Sequence, residues 1–295
     1  MNSRPATTED FGAMLAVLVA DEEHYHDRPS QLTVGDLREW LSRTELATDS
    51  WLYEESGELC AFGWCDFVSD NALALGIGIV HPGWKGKGLG RQLLDRSEDR
   101  ARMRAAKRMH QIAIGPDQAA HRLLAGRGYR EVRRFYEMAV QLESEPDVPD
   151  MGIEMLDPDD LREFHDALDE AFRDHWEHHP STFDEWWGRH AGNPNLDLSL
   201  WFVIREADEM VAVVRNEANR NGGGYVGAIG VRRPWRGKGY AKGLLLHTFR
   251  AFYDRGIKRV TLGVDAESPT GATHLYERVG MHVEQQNVVF EKSLT

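Results

Sequence analysis

A chain of 295 residues, 41% hydrophobic and 28% charged, is long enough for two ordinary domains and too mixed in composition to be disordered. Its formal charge of −13 speaks against a nucleic-acid partner, whose binding rests on neutralising phosphates, and is compatible with a cationic substrate. No apolar run approaches the roughly 18 residues needed to span a bilayer. Met1-Asn-Ser-Arg-Pro5 lacks the apolar core and cleavage site of a signal peptide, so a cytoplasmic location with no membrane partner is expected.

In chain order, a helical pattern follows the N-terminus, and His24-Tyr-His-Asp-Arg-Pro29 precedes Asp36-Leu-Arg-Glu-Trp40. Cys60 and Cys65 lie five apart in a strand-like run and point to opposite faces. That argues against a disulfide and for a reducing compartment. Gly78-Ile-Val-His-Pro-Gly-Trp-Lys-Gly-Lys-Gly-Leu-Gly90 ends an apolar stretch in a basic glycine turn. Leu123-Leu-Ala-Gly-Arg-Gly-Tyr129 comes next, then an alternating segment from Arg134 to Leu142. Residues 143–150, acidic with two prolines, sustain neither helix nor strand interior and mark a boundary.

Beyond it, Gly152 to Leu156 predicts a short strand, with Asp157 as N-cap and Pro158 opening a helix. Leu161, Phe164, His165, Leu168 and Phe172 then recur at helical spacing. Trp201 to Arg205 and Met210 to Arg215 read as antiparallel strands around a turn at Ala207 to Glu209. Asn219-Arg-Asn-Gly-Gly-Gly224 is a strong turn signal. The apolar run Tyr225 to Val231 predicts a buried strand, followed by a basic turn through Ala241 and a helix over Lys242 to Tyr253. A strand at Val260 to Val264, a helix near Gly271 to Val279 and strand material from His282 to Leu294 complete the chain.

The two halves repeat one another. Gly78 to Gly90 matches Ile229 to Ala241 about a shared Trp-basic-Gly-Lys-Gly core, and Leu123 to Tyr129 matches Leu275-Tyr-Glu-Arg-Val-Gly-Met281. The earlier His24 to Pro29 likewise matches His175-Trp-Glu-His-His-Pro180. The expected organisation is two copies of one α/β domain, residues 1–143 and 151–295, each a mixed, mostly antiparallel sheet flanked by helices.

Strand, Arg-Gly-Lys-Gly turn and helix make an anion-binding device, because glycines let backbone N–H groups converge where the helix dipole favours negative charge. No Gly-x-x-x-x-Gly-Lys-Ser/Thr occurs, which excludes a P-loop. A dinucleotide fold is excluded because the turn leaves an antiparallel meander rather than the first strand of a β-α-β unit. Arg236-x-x-Gly239-x-Ala241 resembles the pyrophosphate signature of the GCN5-related N-acetyltransferases (GNAT), and the likeness extends over essentially the whole chain. The resemblance implies acetyl-coenzyme A as cofactor, with its pyrophosphate on the N–H groups of Arg236, Gly237, Lys238, Gly239, Tyr240 and Ala241. It implies that the pantetheine arm pairs with Ile229, Gly230 and Val231, helped by a bulge for which Gly227 and Gly230 are suited, unless these two serve only in packing. The corresponding set in the first copy is Ile79, Val80, Lys85, Gly86, Lys87, Gly88, Leu89 and Gly90. Arg232 or Arg233 meets nucleotide phosphates or is merely solvated.

Acetyl transfer to an amine needs a neutral amine, donors for the oxyanion and a proton for the thiolate. The resemblance places Tyr276 in the last role, Val231 N–H at the oxyanion and Ser268 where the family often has Asn, unless Ser268 serves as a helix cap. At the register of Tyr276 the first copy has Leu124, so the C-terminal copy is expected to be catalytic and the N-terminal one degenerate. The tandem arrangement is similar to that of the mycothiol synthases, in which a carboxylate lies near the start of the strand before the turn. Tyr225 stands there instead, and Glu217 or Asp265 is left as candidate base. His175, Trp176 and His179, beside Trp186, Trp187 and His190, are expected over the acceptor pocket, either holding a cation on aromatic faces or packing as a lid. Without thiolates or a His-Glu-x-x-His pattern they are not expected to bind a metal. The expected function is acetyl transfer to the primary amine of a small cationic acceptor. The alternatives are acetylation of a protein or peptide amine, and a non-catalytic acyl-CoA-binding module.

Overall fold

The computed structural model describes residues 1–295 except Asp27, Ser69, Asp70, Pro194, Asn195 and Asn221. Two positions of the expected segments, Asp27 and Asn221, therefore lie outside the described residues. The chain divides into two compact units, residues 1–135 with 286–295 and residues 136–285.

In order, the elements are β1 (Asn2–Arg4), α1 (Phe11–Tyr25), α2 (Val34–Trp40), α3 (Leu46–Asp49), β2 (Ser50–Glu55), β3 (Glu58–Val68) and β4 (Leu73–Val80). α4 (Leu89–Met103), β5 (Arg108–Ile114), α5 (Gln118–Gly126) and β6 (Arg130–Gln141) close the first half. The second half repeats the plan: β7 (Ile153–Met155), α6 (Leu161–Phe172), α7 (Phe183–His190), β8 (Phe202–Glu206), β9 (Glu209–Arg220) and β10 (Gly223–Val231). It ends with α8 (Tyr240–Asp254), β11 (Arg259–Asp265), α9 (Ala272–Glu277) and β12 (His282–Ser293).

In the first unit the strand order is β1-β2-β3-β4-β5-β12, and in the second β6-β11-β10-β9-β8-β7. β4 pairs with β5, and β10 with β11, in parallel; β1–β2, β2–β3, β3–β4, β7–β8, β8–β9, β9–β10 and β5–β12 are antiparallel. The last strand of each half is exchanged. Asn287–Ser293 pairs with Ile114–Arg108, so Val288 and Phe290 are buried in the core of the first unit. Met138 and Val140 from β6 belong to the core of the second. A division at 1–143 and 151–295 follows the repeat in sequence; compactness follows the pairing.

Local chemistry accounts for most element ends. Thr33 with Asp36 and Thr182 with Glu185 form reciprocal capping boxes at α2 and α7. Asp157 caps a 3-10 turn over Pro158–Asp160, and α6 begins only at Leu161. It then buries Phe164, His165 and Leu168. The β8–β9 turn holds both Ala207 and Asp208 at positive φ (49° and 67°), the left-handed pair that a two-residue hairpin needs, here without glycine. Cys60 and Cys65 are both buried and unpaired, and burial raises both thiol pKa values, Cys65 to about 12.

Candidate active site

In the second unit β10 and β11 pair only at Gly224↔Val260 and Tyr225↔Thr261, and then diverge. On its other side β10 follows β9, with a register shift between Val226 and Ala228 that leaves Gly227 as the extra residue. A Cβ at Gly227 would lie 2.8 Å from the guanidinium of Arg215, which would have to move aside for any larger residue. Gly230, also considered for the bulge, is instead in regular pairing with Val213. It lets α6 approach closely: a Cβ there would meet that of Ala171 at 2.7 Å. Gly230→Ala is expected to destabilise the protein by about 1–3 kcal/mol through overpacking, read as a lowered midpoint of thermal or urea unfolding. Arg232 N–H donates to Val211 O at 3.0 Å, which sets the phase of the ladder. The backbone groups of Ile229 and Val231 consequently face away from β9, toward the opening.

The turn after β10 begins with a 3-10 turn at Arg233–Trp235, and Arg236 N–H is spent on Arg233 O at 3.2 Å. Gly237 and Gly239 take φ of 81° and 88°, a conformation that disfavours any Cβ. The first bond into α8 is Gly243 N–H to Gly239 O at 3.0 Å. Among the described residues, the N–H groups of 237–242 have no acceptor within the protein. This fits a pyrophosphate, with the run one residue later than the sequence suggests.

Arg236 itself is an anchor. It donates to Val231 O at 3.1 Å and Ala171 O at 3.0 Å, and lies 3.5 Å from Asp174. Arg233 also binds Asp174, while Arg232 binds Glu170 and Glu209. Lys238 is outside the lining, 3.7 Å from Glu206. The cations lining the cavity are Arg236, Lys242 and Arg278, and among the described residues no carboxylate does so. Lys242 and Arg278 escape a motif-based reading. The available signal was a lysine in the first turn of α8, where the helix dipole disfavours a cation unless an anion is present.

The cavity, about 370 Å³, is lined by Ile229, Gly230, Val231, Gly237, Gly239, Tyr240 and Ala241, closed by α9 and by His175. Tyr276 lines it, 7% exposed, with no hydrogen-bond partner for its hydroxyl among the described residues. Burial, with Tyr225 nearby, pushes its pKa up to about 12, so the phenol keeps its proton throughout the neutral range. His175 stacks on Phe172, ring centroids 4.3 Å apart, and burial lowers its pKa.

Other expected residues lie elsewhere. Glu217, 3% exposed, is held by Arg215 at 2.5 Å and Arg220 at 3.2 Å and does not line this cavity. Tyr225 is its cross-strand partner, with the Arg220 guanidinium 4.1 Å above its ring and a phenol pKa raised by burial. Ser268 bonds Thr270 Oγ1 at 3.0 Å and neither lines the cavity nor caps α9, whose N-cap is Gly271; Thr270 lines it instead. Trp176 and exposed His179 are also outside the lining.

The first unit has a cavity of about 420 Å³ at the matching place, lined by Val80, Lys85, Gly86, Gly88, Leu89 and Gly90 but not by Ile79 or Lys87. Gly86 and Gly88 repeat the positive φ, at 79° and 86°. Its charge differs. Lys85 Nζ lies 2.6 Å from Asp21, 2.6 Å from the Tyr25 hydroxyl and 3.5 Å from Asp117, and both carboxylates line the cavity. With Lys85 and Arg91 the lining charges cancel. The β3–β4 ladder runs without a shift from Ala61↔Val80 to Val68↔Leu73, and Leu124 occupies the Tyr276 position.

Comparison with known proteins gives the family. The model of the acetyltransferase (GNAT) family matches residues 13–129 and again 161–281. A mycothiol acetyltransferase of Thermomonospora curvata is 28% identical over 97% of this chain and 94% of its own length. One from Thermobispora bispora is 31% identical over 68% of this chain and 70% of its own. The crystal structure of a GCN5-related N-acetyltransferase from Sphaerobacter thermophilus superposes with a TM-score of 0.87 at 30% identity, covering 99% of this chain and 95% of that one.

Proposed function

The chain belongs to the acetyltransferase (GNAT) family, as an acetyl-CoA-dependent N-acetyltransferase with two such domains in tandem, and from that premise we propose that its second unit acetylates the primary amine of a small, cationic acceptor. One observation carries the choice of unit. The second cavity combines free N–H groups at 237–242, three cations without a carboxylate, a bulged strand and Tyr276. The first has cancelled charges, a regular strand and Leu124. A relative matched over 94% of its own length is named a mycothiol acetyltransferase, which supports a small molecule over a protein as acceptor. The charge of −13 is compatible with a cation.

When bound, acetyl-CoA supplies a thioester. The N–H groups of 237–242, with Lys242 and Arg278, hold its pyrophosphate. Ile229 and Val231 offer edge groups to its arm, although Val231 O is already taken by Arg236, leaving the N–H for the developing oxyanion. Tyr276 holds a proton at its hydroxyl for the departing thiolate. A panel of primary amines assayed for release of CoA thiol, beside calorimetry with acetyl-CoA, tests the reading. Binding with turnover of cationic amines is the expected result. Binding without turnover of any amine would reduce the chain to an acyl-CoA-binding module.

A further inference from the structure

The titratable side chains lining the second cavity are His175, Arg236, Tyr240, Lys242, Tyr276 and Arg278. At neutral pH the arginines and lysine are cations and tyrosines carry their protons, so none of these five accepts another. The two candidate bases of the sequence, Glu217 and Asp265, are both outside the lining, and Glu217 has both oxygens on arginines. His175 is different in kind. It follows α6, its backbone N–H is fixed on Phe172 O at 2.9 Å, and its ring is stacked on Phe172. Among the described residues neither ring nitrogen has a hydrogen-bond partner. An imidazole held rigidly at a cavity wall with both nitrogens unspent is available to whatever enters.

The geometry points to His175 as the general base that takes the proton from the acceptor ammonium. This rests on the acetyl-transfer reading above. The groups acting on the imidazole are Asp265 at the end of β11, His178 and Asp174 from its own loop, and Arg236 from the turn. Burial outweighs the two carboxylates and holds the ring neutral, hence able to accept a proton at pH 7. The protons balance. His175 takes the first from the ammonium and passes it to solvent. The amine then forms the C–N bond, the C–S bond breaks, and Tyr276 protonates sulfur. The second proton lost from nitrogen restores Tyr276.

Two amines separate a base from a packing residue. Ethylamine is an ammonium ion at pH 7 and needs deprotonation; 2,2,2-trifluoroethylamine is already neutral. His175→Gln should lower kcat/KM for ethylamine by about 10²-fold, leave trifluoroethylamine within about twofold, and remove the acid limb of the pH profile. Equal losses for both would overturn the inference in favour of a structural role, as would no loss for either. Calorimetry should show unchanged acetyl-CoA affinity. An NMR titration of the His175 ring protons, assigned by their absence from His175→Gln, gives a readout independent of turnover. A ring neutral at pH 7 supports the inference, and one charged there overturns it. Failure of the wild type to acetylate any amine would overturn instead the reading of the reaction on which this one rests.

Discussion

Tyr276→Phe is expected to lower kcat by about 10²-fold or more while leaving acetyl-CoA affinity within about twofold. The substitution is well isolated. The hydroxyl has no protein partner among the described residues, and the ring sits with the buried core around Val264 and Met281. Phe fills that volume, so stability should change by no more than about 0.5 kcal/mol. Loss of rate then reports loss of the proton and not of the fold. Because burial raises the phenol to about 12, Tyr276 contributes no alkaline limb below about pH 11. Unchanged turnover with a measured acceptor would remove Tyr276 from the mechanism, and loss of rate with an equal loss of affinity would make it a binding residue.

Gly239→Glu should abolish acetyl-CoA binding in the second unit. At φ 88° a side chain is strained by about 1–2 kcal/mol, yet a Cβ there meets nothing within 4 Å, so the turn survives. What fails is the anion seat. The new carboxylate stands among the N–H groups of 237–242 and the cations Arg236, Lys242 and Arg278 and satisfies them itself. Gly239→Ala carries the same strain without the charge and should lose far less. The expected calorimetric result is a loss of about 100-fold or more for Glu, against less than about tenfold for Ala. Gly88→Glu, at the corresponding φ of 86° in the first unit, should leave turnover intact. Retained affinity in Gly239→Glu would show that the pyrophosphate lies elsewhere.

Local features were legible from sequence because their physics is local. The Arg-Gly-Lys-Gly turn with its two left-handed glycines, the Tyr225–Val231 run within β10 and the helix that follows all occur within a residue or two of their expected bounds. Asp157 caps as expected, but its turn is 3-10 before it is α. Long-range choices were not legible. Alternation in Arg134–Leu142 or Asn287–Leu294 tells which face is apolar but not which strand lies alongside, so the exchange of β6 and β12 left no mark. Glu217 looked available because nothing in sequence shows that Arg215, two residues before it, and Arg220, three after, fill its oxygens. Ser268 stood at the family's Asn register, but Gly271 caps α9 and Thr270 reaches the cavity. His175 was noticed as an aromatic neighbour, while its unspent nitrogens became visible only in three dimensions.

The exchange of β12 also bears on synthesis. A ribosome that has released the first 285 residues has made the whole of the second unit, and α1 to α5 and β1 to β5 of the first. Asn287–Ser293, which line the exposed side of β5, are still inside the exit tunnel or unmade. Until they emerge, β5 presents an unpaired edge, the kind that recruits other chains. The second unit needs Met138 and Val140, which have already been translated. The half translated first is therefore the half finished last, and a chain truncated after residue 285 should show β5 amides exchanging faster than those of β11.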